Sequence, residues 1–166
     1  MLSHMPYFVN VECFFQMWVD TSIPMYACLF VSDREVAFFS KLTSAVNGVS
    51  RYVHYDDVVF NIGNGYNPNH GVFVAPVNGT YQFSLYACAN AANVVILDLF
   101  VNQTKQGTLL AGDNSYTNCN SEVFLLQLVA GDDVYVKTGT YDTSSMFIGT
   151  QYGLPTLSGV LLRAHS

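Results

Sequence analysis

Short runs in which large apolar residues alternate with polar ones recur along this chain, separated by Gly, Asn, Asp and Pro. Period-two alternation broken by turn residues is the mark of half-buried strands, and no segment sustains the 3.6-residue period of a helix. The pattern predicts strands at 35–42, 70–75, 79–88, 93–101, 107–112, 121–129, 133–140 and 156–163, with further short strands between 49 and 62. Two connections follow from residue chemistry. The polar run Asn102-Gln103-Thr104-Lys105-Gln106-Gly107 ends in a glycine able to take positive φ, which predicts a hairpin from Val94–Val101 into Thr108–Ala111. Gly131, in Val129-Ala130-Gly131-Asp132, predicts a second tight reversal. Strands joined in this way build a sandwich or a barrel.

Composition sharpens that picture. Hydrophobic residues make up 51% of the chain and charged residues 11%, with 12 Phe and 11 Tyr against 6 Lys plus Arg. This suits sheets packed on their faces. A net charge of −6, with its few basic residues scattered, argues against nucleic acid as a partner, because phosphate binding needs clustered Lys or Arg. The first 33 residues hold the apolar runs Met5–Val11, Phe14–Val19 and Ile23–Val31, interrupted by Glu12, Asp20 and Pro24. They meet the requirements of neither a secretory leader nor a membrane span of about 20 apolar residues. Residues 1–33 therefore read as an N-terminal segment of unclear role, an atypical leader or an extension, ahead of a globular domain at 34–163.

One stretch carries more than periodicity. Tyr55, Asn61, Tyr66, Phe73, Gly79, Tyr81 and Phe83 fall at wide intervals. Their spacing resembles the signature of the complement C1q globular domain, a family related to tumour necrosis factor. That family usually has Phe where Tyr55 stands, and an aromatic where Leu85 stands, with Tyr86 next to it here. Val36-Ala37-Phe38 looks like the family's opening strand, Gly131-Asp132-Asp133-Val134-Tyr135-Val136 like its Gly-Asp turn and following strand, and Leu157–Leu162 like its closing strand. The resemblance covers roughly residues 34–163, the length of one domain of about 100–150 residues. It implies an all-β jelly-roll β-sandwich of two antiparallel sheets and a homotrimer. No collagen-like Gly-X-Y run accompanies it.

The resemblance also implies candidate sites. If the strands meander as predicted, the loop 113–120 lies at the same end of the sandwich as Cys88, so Cys88 and Cys119 are able to meet. Relatives of the tumour necrosis factor type bridge the corresponding loops, while the residues themselves leave open two separate buried thiols. Cys13 and Cys28 lack any C-x-x-C spacing. Some relatives bind calcium near the trimer apex. The loop Asp113–Asn118 is rich in oxygen donors, so Asp113 and Asn118 are the candidate Ca2+ ligands, against the plainer reading of a polar turn. Glycosylation sequons stand at Asn78-Gly79-Thr80 and Asn102-Gln103-Thr104. The stretch Gly139–Leu154 is rich in Tyr, Ser, Thr and Gly, a composition suited to adaptable recognition, and Tyr141, Asp142 and Tyr152 are its candidate ligand-binding residues.

Catalysis finds no support, since His4, His54, His70 and His165 are dispersed and Gly63-Asn64-Gly65 lacks the strand-then-helix context of a phosphate loop. The expectation is a secreted, trimeric, non-enzymatic C1q-like protein that recognises extracellular glycan or protein ligands, such as microbial glycans or lipopolysaccharide in innate immunity. A cytokine- or adipokine-like ligand for a cell-surface receptor and a structural extracellular trimer are the alternatives.

Overall fold

The computed structural model describes residues 34–139, Met146, Ile148 and 151–165. Tyr141 and Asp142 lie outside the described residues, as does the segment 1–33. Every regular element described is a strand: β1 (Ala37–Lys41), β2 (Asp57–Ile62), β3 (Tyr66–Asn67), β4 (Val72–Val74), β5 (Gly79–Ala89), β6 (Asn93–Val101), β7 (Thr104–Asp113), β8 (Asn118–Leu128), β9 (Asp133–Thr138) and β10 (Thr156–Ala164). They form two five-stranded antiparallel sheets, a first in the order β2-β1-β10-β5-β8 and a second in the order β3-β4-β9-β6-β7. Successive strands thus alternate between sheets at several points, which is the jelly-roll solution to burying two apolar faces against each other.

The alternation seen in the sequence explains which face each sheet buries. In β5, Tyr81, Phe83, Leu85 and Ala87 are buried, while Thr80, Gln82, Ser84 and Tyr86 lie on the outer face. Opposite them, Tyr66 and Phe73 of the second sheet reach Phe38 of the first, with Phe38 stacked on Tyr66 at 4.6 Å between ring centroids and on Phe73 at 5.3 Å. Phe73 and Phe83 meet edge to face at 5.3 Å. These rings occupy the space between the sheets and supply much of the apolar burial that holds them together. Room for them comes from Gly159 in β10, where a Cβ would stand 2.5 Å from the Phe38 ring and 2.8 Å from Phe83.

Three expectations change in detail. The β6–β7 reversal occurs at Asn102-Gln103, with Asn102 in the left-handed region at φ 44°, and β7 begins at Thr104. Gly107 is therefore inside a strand rather than at its turn. Its lack of a side chain is used for packing, because a Cβ there would lie 2.4 Å from the Phe124 ring of the other sheet. The second change is at Cys119, which stands in β8 rather than in a loop. The third is β3, a pair of residues too short to leave a periodic trace. The reversal at Gly131, by contrast, takes the expected form, with φ 95° and an Asp132 N–H donated to the Val129 carbonyl at 3.0 Å.

Candidate functional site

The widely spaced signature residues are structural clamps. Asn61, at the end of β2, donates from Nδ2 to the Tyr66 carbonyl at 2.7 Å and accepts the Tyr66 N–H on Oδ1 at 3.2 Å. The amide side chain thereby stands in for a strand neighbour. The Tyr66 hydroxyl in turn donates to the Tyr55 carbonyl at 3.1 Å and receives the Tyr55 N–H at 3.2 Å. Burial holds the Tyr66 phenol well above its ordinary range, and burial does the same for Tyr55. Among the described residues the Tyr55 hydroxyl has no hydrogen-bond partner.

Three surfaces remain available for recognition. The first is the outer face of the first sheet. Registration places Ile62, Ala37, Val160, Gln82 and Leu125 in one row across its strands, and Phe60, Phe39, Ser158, Ser84 and Val123 in the next. Leu125 is 66% exposed, Val123 54% and Phe60 44%. A face with large apolar groups at both flanks, and Ala37, Phe39 and Val160 among Gln82, Ser84 and Ser158 between them, is unusual against water.

The second surface is the end of the sandwich where β5 finishes. Cys88 and Cys119 are direct cross-strand partners there, joined by a disulfide with their Cα atoms 4.0 Å apart. Asp113 and Asn118 border the neighbouring β7–β8 connection. Asp113 Oδ1 accepts N–H groups of Ser115 at 2.7 Å and Tyr116 at 3.3 Å, and Asn118 Oδ1 accepts that of Gly112 at 3.1 Å. Calcium takes six to eight oxygens, so two side chains that already brace their own loop do not complete its shell within one protomer. Tyr152 is exposed at this end, its carbonyl accepting the Tyr86 hydroxyl. The structure thus brings Cys88, Cys119, Asp113, Asn118 and Tyr152 to one pole.

The sequons are elsewhere. Asn78 accepts the Ala130 N–H on Oδ1 at 2.9 Å. Asn102 donates to Asp132 Oδ1 at 2.9 Å and accepts the Asp133 N–H at 3.0 Å, which ties the β6–β7 hairpin to the turn before β9.

The third surface was not singled out from the sequence. Val134 and Val136 of β9 point into the core, so Asp133, Tyr135 and Lys137 alternate onto the outer face of the second sheet. There Tyr135 stacks on Phe100 of β6, 5.4 Å between centroids at an interplanar angle of 7°, and lies 5.1 Å from the ring of Tyr52. Tyr52 reaches this place because its backbone bridges to Lys137 alongside β9. The Lys137 ammonium is 4.4 Å from the Tyr52 ring centroid, 5.3 Å from Tyr135 and 5.5 Å from Phe100. Beside these rings is an open hollow of about 270 Å3 lined by Tyr52, Tyr135, Asn102, Gln103 and Asp133. The Tyr135 hydroxyl is pushed up in pKa by burial, by the adjacent Tyr52 and by the Asp133 carboxylate. The outward Asp-x-Tyr-x-Lys alternation was visible in the sequence; the approach of Tyr52 was not.

Two five-stranded sheets with this connectivity and a disulfide between β5 and β8 define a jelly roll of the C1q and tumour necrosis factor class. The sequence matches the C1q domain over residues 37–162, and the chain belongs to the C1q-domain family. Proteins of this class are typically extracellular binding proteins that form trimers. The heavy metal-binding protein HIP of the mussel Mytilus edulis is 28% identical over 137 residues, which is 80% of this chain and 63% of the mussel protein. This chain therefore spans less than two thirds of that relative. Among solved structures, the globular domain of zebrafish complement 1qA superposes with a TM-score of 0.62 at 16% identity, covering 78% of this chain and 99% of that one. Murine APRIL at pH 5.0 gives the same TM-score of 0.62 at 11% identity, covering 77% and 99%. These two likenesses concern the fold. No helix among the described residues is long and apolar enough to cross a membrane.

Proposed function

We propose that this chain is a secreted, non-enzymatic recognition protein that assembles as a homotrimer and binds extracellular ligands by avidity, with microbial glycans and lipopolysaccharide as the ligand class. The observation that carries this reading is the uncovered apolar face of the first sheet, whose flanks hold Phe60, Ile62, Val123 and Leu125. Burying such residues against neighbouring protomers gains about 25 cal/mol per Å2 of apolar surface, whereas leaving them wet gains nothing. A trimer built on this face leaves the second sheet and the loop poles facing outward in three copies. Weak single sites then become strong on a repetitive surface, because the second and third contacts are intramolecular.

Calcium is part of this proposal only at the pole bearing Asp113 and Asn118, where further oxygens would have to come from adjoining subunits. The mussel relative's heavy-metal binding finds no counterpart among the described residues, where no group of three or more His, Cys, Asp or Glu is gathered to hold an ion.

Light scattering on the purified chain in non-reducing buffer, with and without a calcium chelator, tests the assembly. A trimeric mass is expected, and a trimer that loosens on chelation supports the calcium site. A monomer at micromolar concentration overturns the avidity mechanism. Retention on lipopolysaccharide-coated or glycan-coated beads, compared with binding of the same monovalent sugars in solution, tests the ligand class.

A further inference from the structure

The hollow beside Tyr52 and Tyr135 lies on the sheet opposite the apolar face, away from the pole that bears Tyr152. Its lining combines two kinds of group. Tyr52 is 45% exposed and presents an aromatic ring, held against Tyr135 and Lys137 and therefore already ordered. Gln103 and Asp133 add an amide and a carboxylate whose side chains make no hydrogen bond or ion pair with a described residue. A rigid apolar plate edged by uncommitted directional donors and acceptors needs a ligand that is flat and apolar on one face and rich in hydroxyls around its edge.

Charge narrows the choice further. The ammonium that an aromatic cluster attracts is already supplied by Lys137, so an external cation would meet a like charge. Asp133 opposes an anion at the rim. The buried Asp98 of β6, opposite Lys137 of β9, is charge-compensated by Lys105 at 2.7 Å and accepts a hydrogen bond from the Thr108 hydroxyl at 2.6 Å, so it adds no uncompensated charge. A neutral ligand meets neither penalty. The volume, about 270 Å3, falls just under the roughly 300–1,000 Å3 of sites for drug-sized molecules and suits one or two small rings.

We propose that this hollow is a seat for a neutral pyranose, with the sugar's C–H face stacked on Tyr52 and its hydroxyls bonded to Asp133 and Gln103. The proposal rests on the reading of the chain as a glycan-binding protein and adds the place and the charge class of the ligand. Because Asn102 lines the hollow and heads a sequon, the same pyranose chemistry has two sources: a free saccharide, or a sugar linked to the chain's own Asn102.

The test uses the full chain secreted from a glycosylating host, as wild type and as Thr104→Ala, which removes the sequon without altering a lining residue. Tyr52→Ala, Tyr52→Phe, Asp133→Asn and Gln103→Ala are added on the Thr104→Ala background. Binding is read on surfaces bearing the neutral polysaccharides mannan and β-glucan, and on heparin as a polyanion, with thermal melting as the control for folding. Thr104→Ala is expected to bind a neutral polysaccharide, with a loss of tenfold or more in Tyr52→Ala, Asp133→Asn and Gln103→Ala and retention in Tyr52→Phe. Equal binding by wild type and Thr104→Ala identifies a free saccharide as the occupant. A tenfold gain on removing the sequon identifies the chain's own sugar in the same seat. Neutral-polysaccharide binding that none of the lining substitutions alters overturns the seat and leaves the glycan-binding reading intact. Binding to heparin alone overturns the neutral seat, and binding to no glycan overturns both.

Discussion

Asn61 and Tyr66 are joined as though they were facing residues of two strands: the Asn61 amide gives one hydrogen bond to the Tyr66 carbonyl and takes one from its N–H. A carboxylate in its place keeps the acceptor but confronts the carbonyl with negative charge. Asn61→Asp is expected to cost about 1–3 kcal/mol, seen as a lowered melting temperature, whereas an unchanged melt would show the clamp to be dispensable.

Tyr55 presents the opposite case. Its hydroxyl is fully buried without a hydrogen-bond partner among the described residues, so it bears a desolvation cost with no return. Tyr55→Phe is expected to stabilise the domain by about 1 kcal/mol, raising the melting temperature by a few degrees. A lower melting temperature would mean that the hydroxyl is satisfied in solution.

The bridge between Cys88 and Cys119 closes 31 residues of sequence. In the chain-entropy account a loop of this length contributes about 3–4 kcal/mol. Replacing both cysteines with Ala is expected to lower the denaturant midpoint accordingly, and reduction of the wild type by dithiothreitol should produce a similar fall.

Leu125 contributes nothing to the core of its own protomer, being mostly exposed on β8. If the chain forms the proposed trimer, Leu125→Glu is expected to leave the monomer's melting unchanged when measured under dilute conditions, yet to reduce that trimer to monomers by light scattering. A trimer that survives this change would place the subunit contacts on another face.

Two carboxylates give the domain an acid dependence of predictable sign. Burial alone would raise Asp56, but hydrogen bonds from the Thr43 hydroxyl and N–H, together with its own N–H, hold it below 3.8. Asp132 is lowered by the Asn102 amide and the Val129 N–H. A depressed folded pKa stabilises the protein above the unfolded value of 3.8, and that contribution is lost as pH falls through the lower folded value. The double variant Asp56→Asn, Asp132→Asn should therefore be less stable at neutral pH and show a shallower decline in stability on acidification, measured by urea unfolding at stepped pH.

Most of the sandwich was legible because its strands bury one face and alternate. β5 and β6 are long enough for that alternation to fix both their existence and their bounds. β3 was invisible, since Tyr66–Asn67 is held by the Asn61 side chain and by β4 rather than by any local preference. Gly107 misled for a different reason: glycine serves turns and close packing alike, and only the position of Phe124 across the sandwich distinguishes the two uses. The hollow at Tyr52 depended on an encounter between residues 52, 100 and 135, which no local pattern announces.

The first and last strands of the domain are neighbours, with Ala37 opposite Val160 and the Leu161 N–H donated to the Val36 carbonyl. Polypeptide therefore enters and leaves this sandwich at a single pole. A fold with adjoining ends behaves as a cassette: it can be carried on a stalk, spliced between other domains, or closed head to tail and reopened at a surface loop, without disturbing the aromatic interior that defines it.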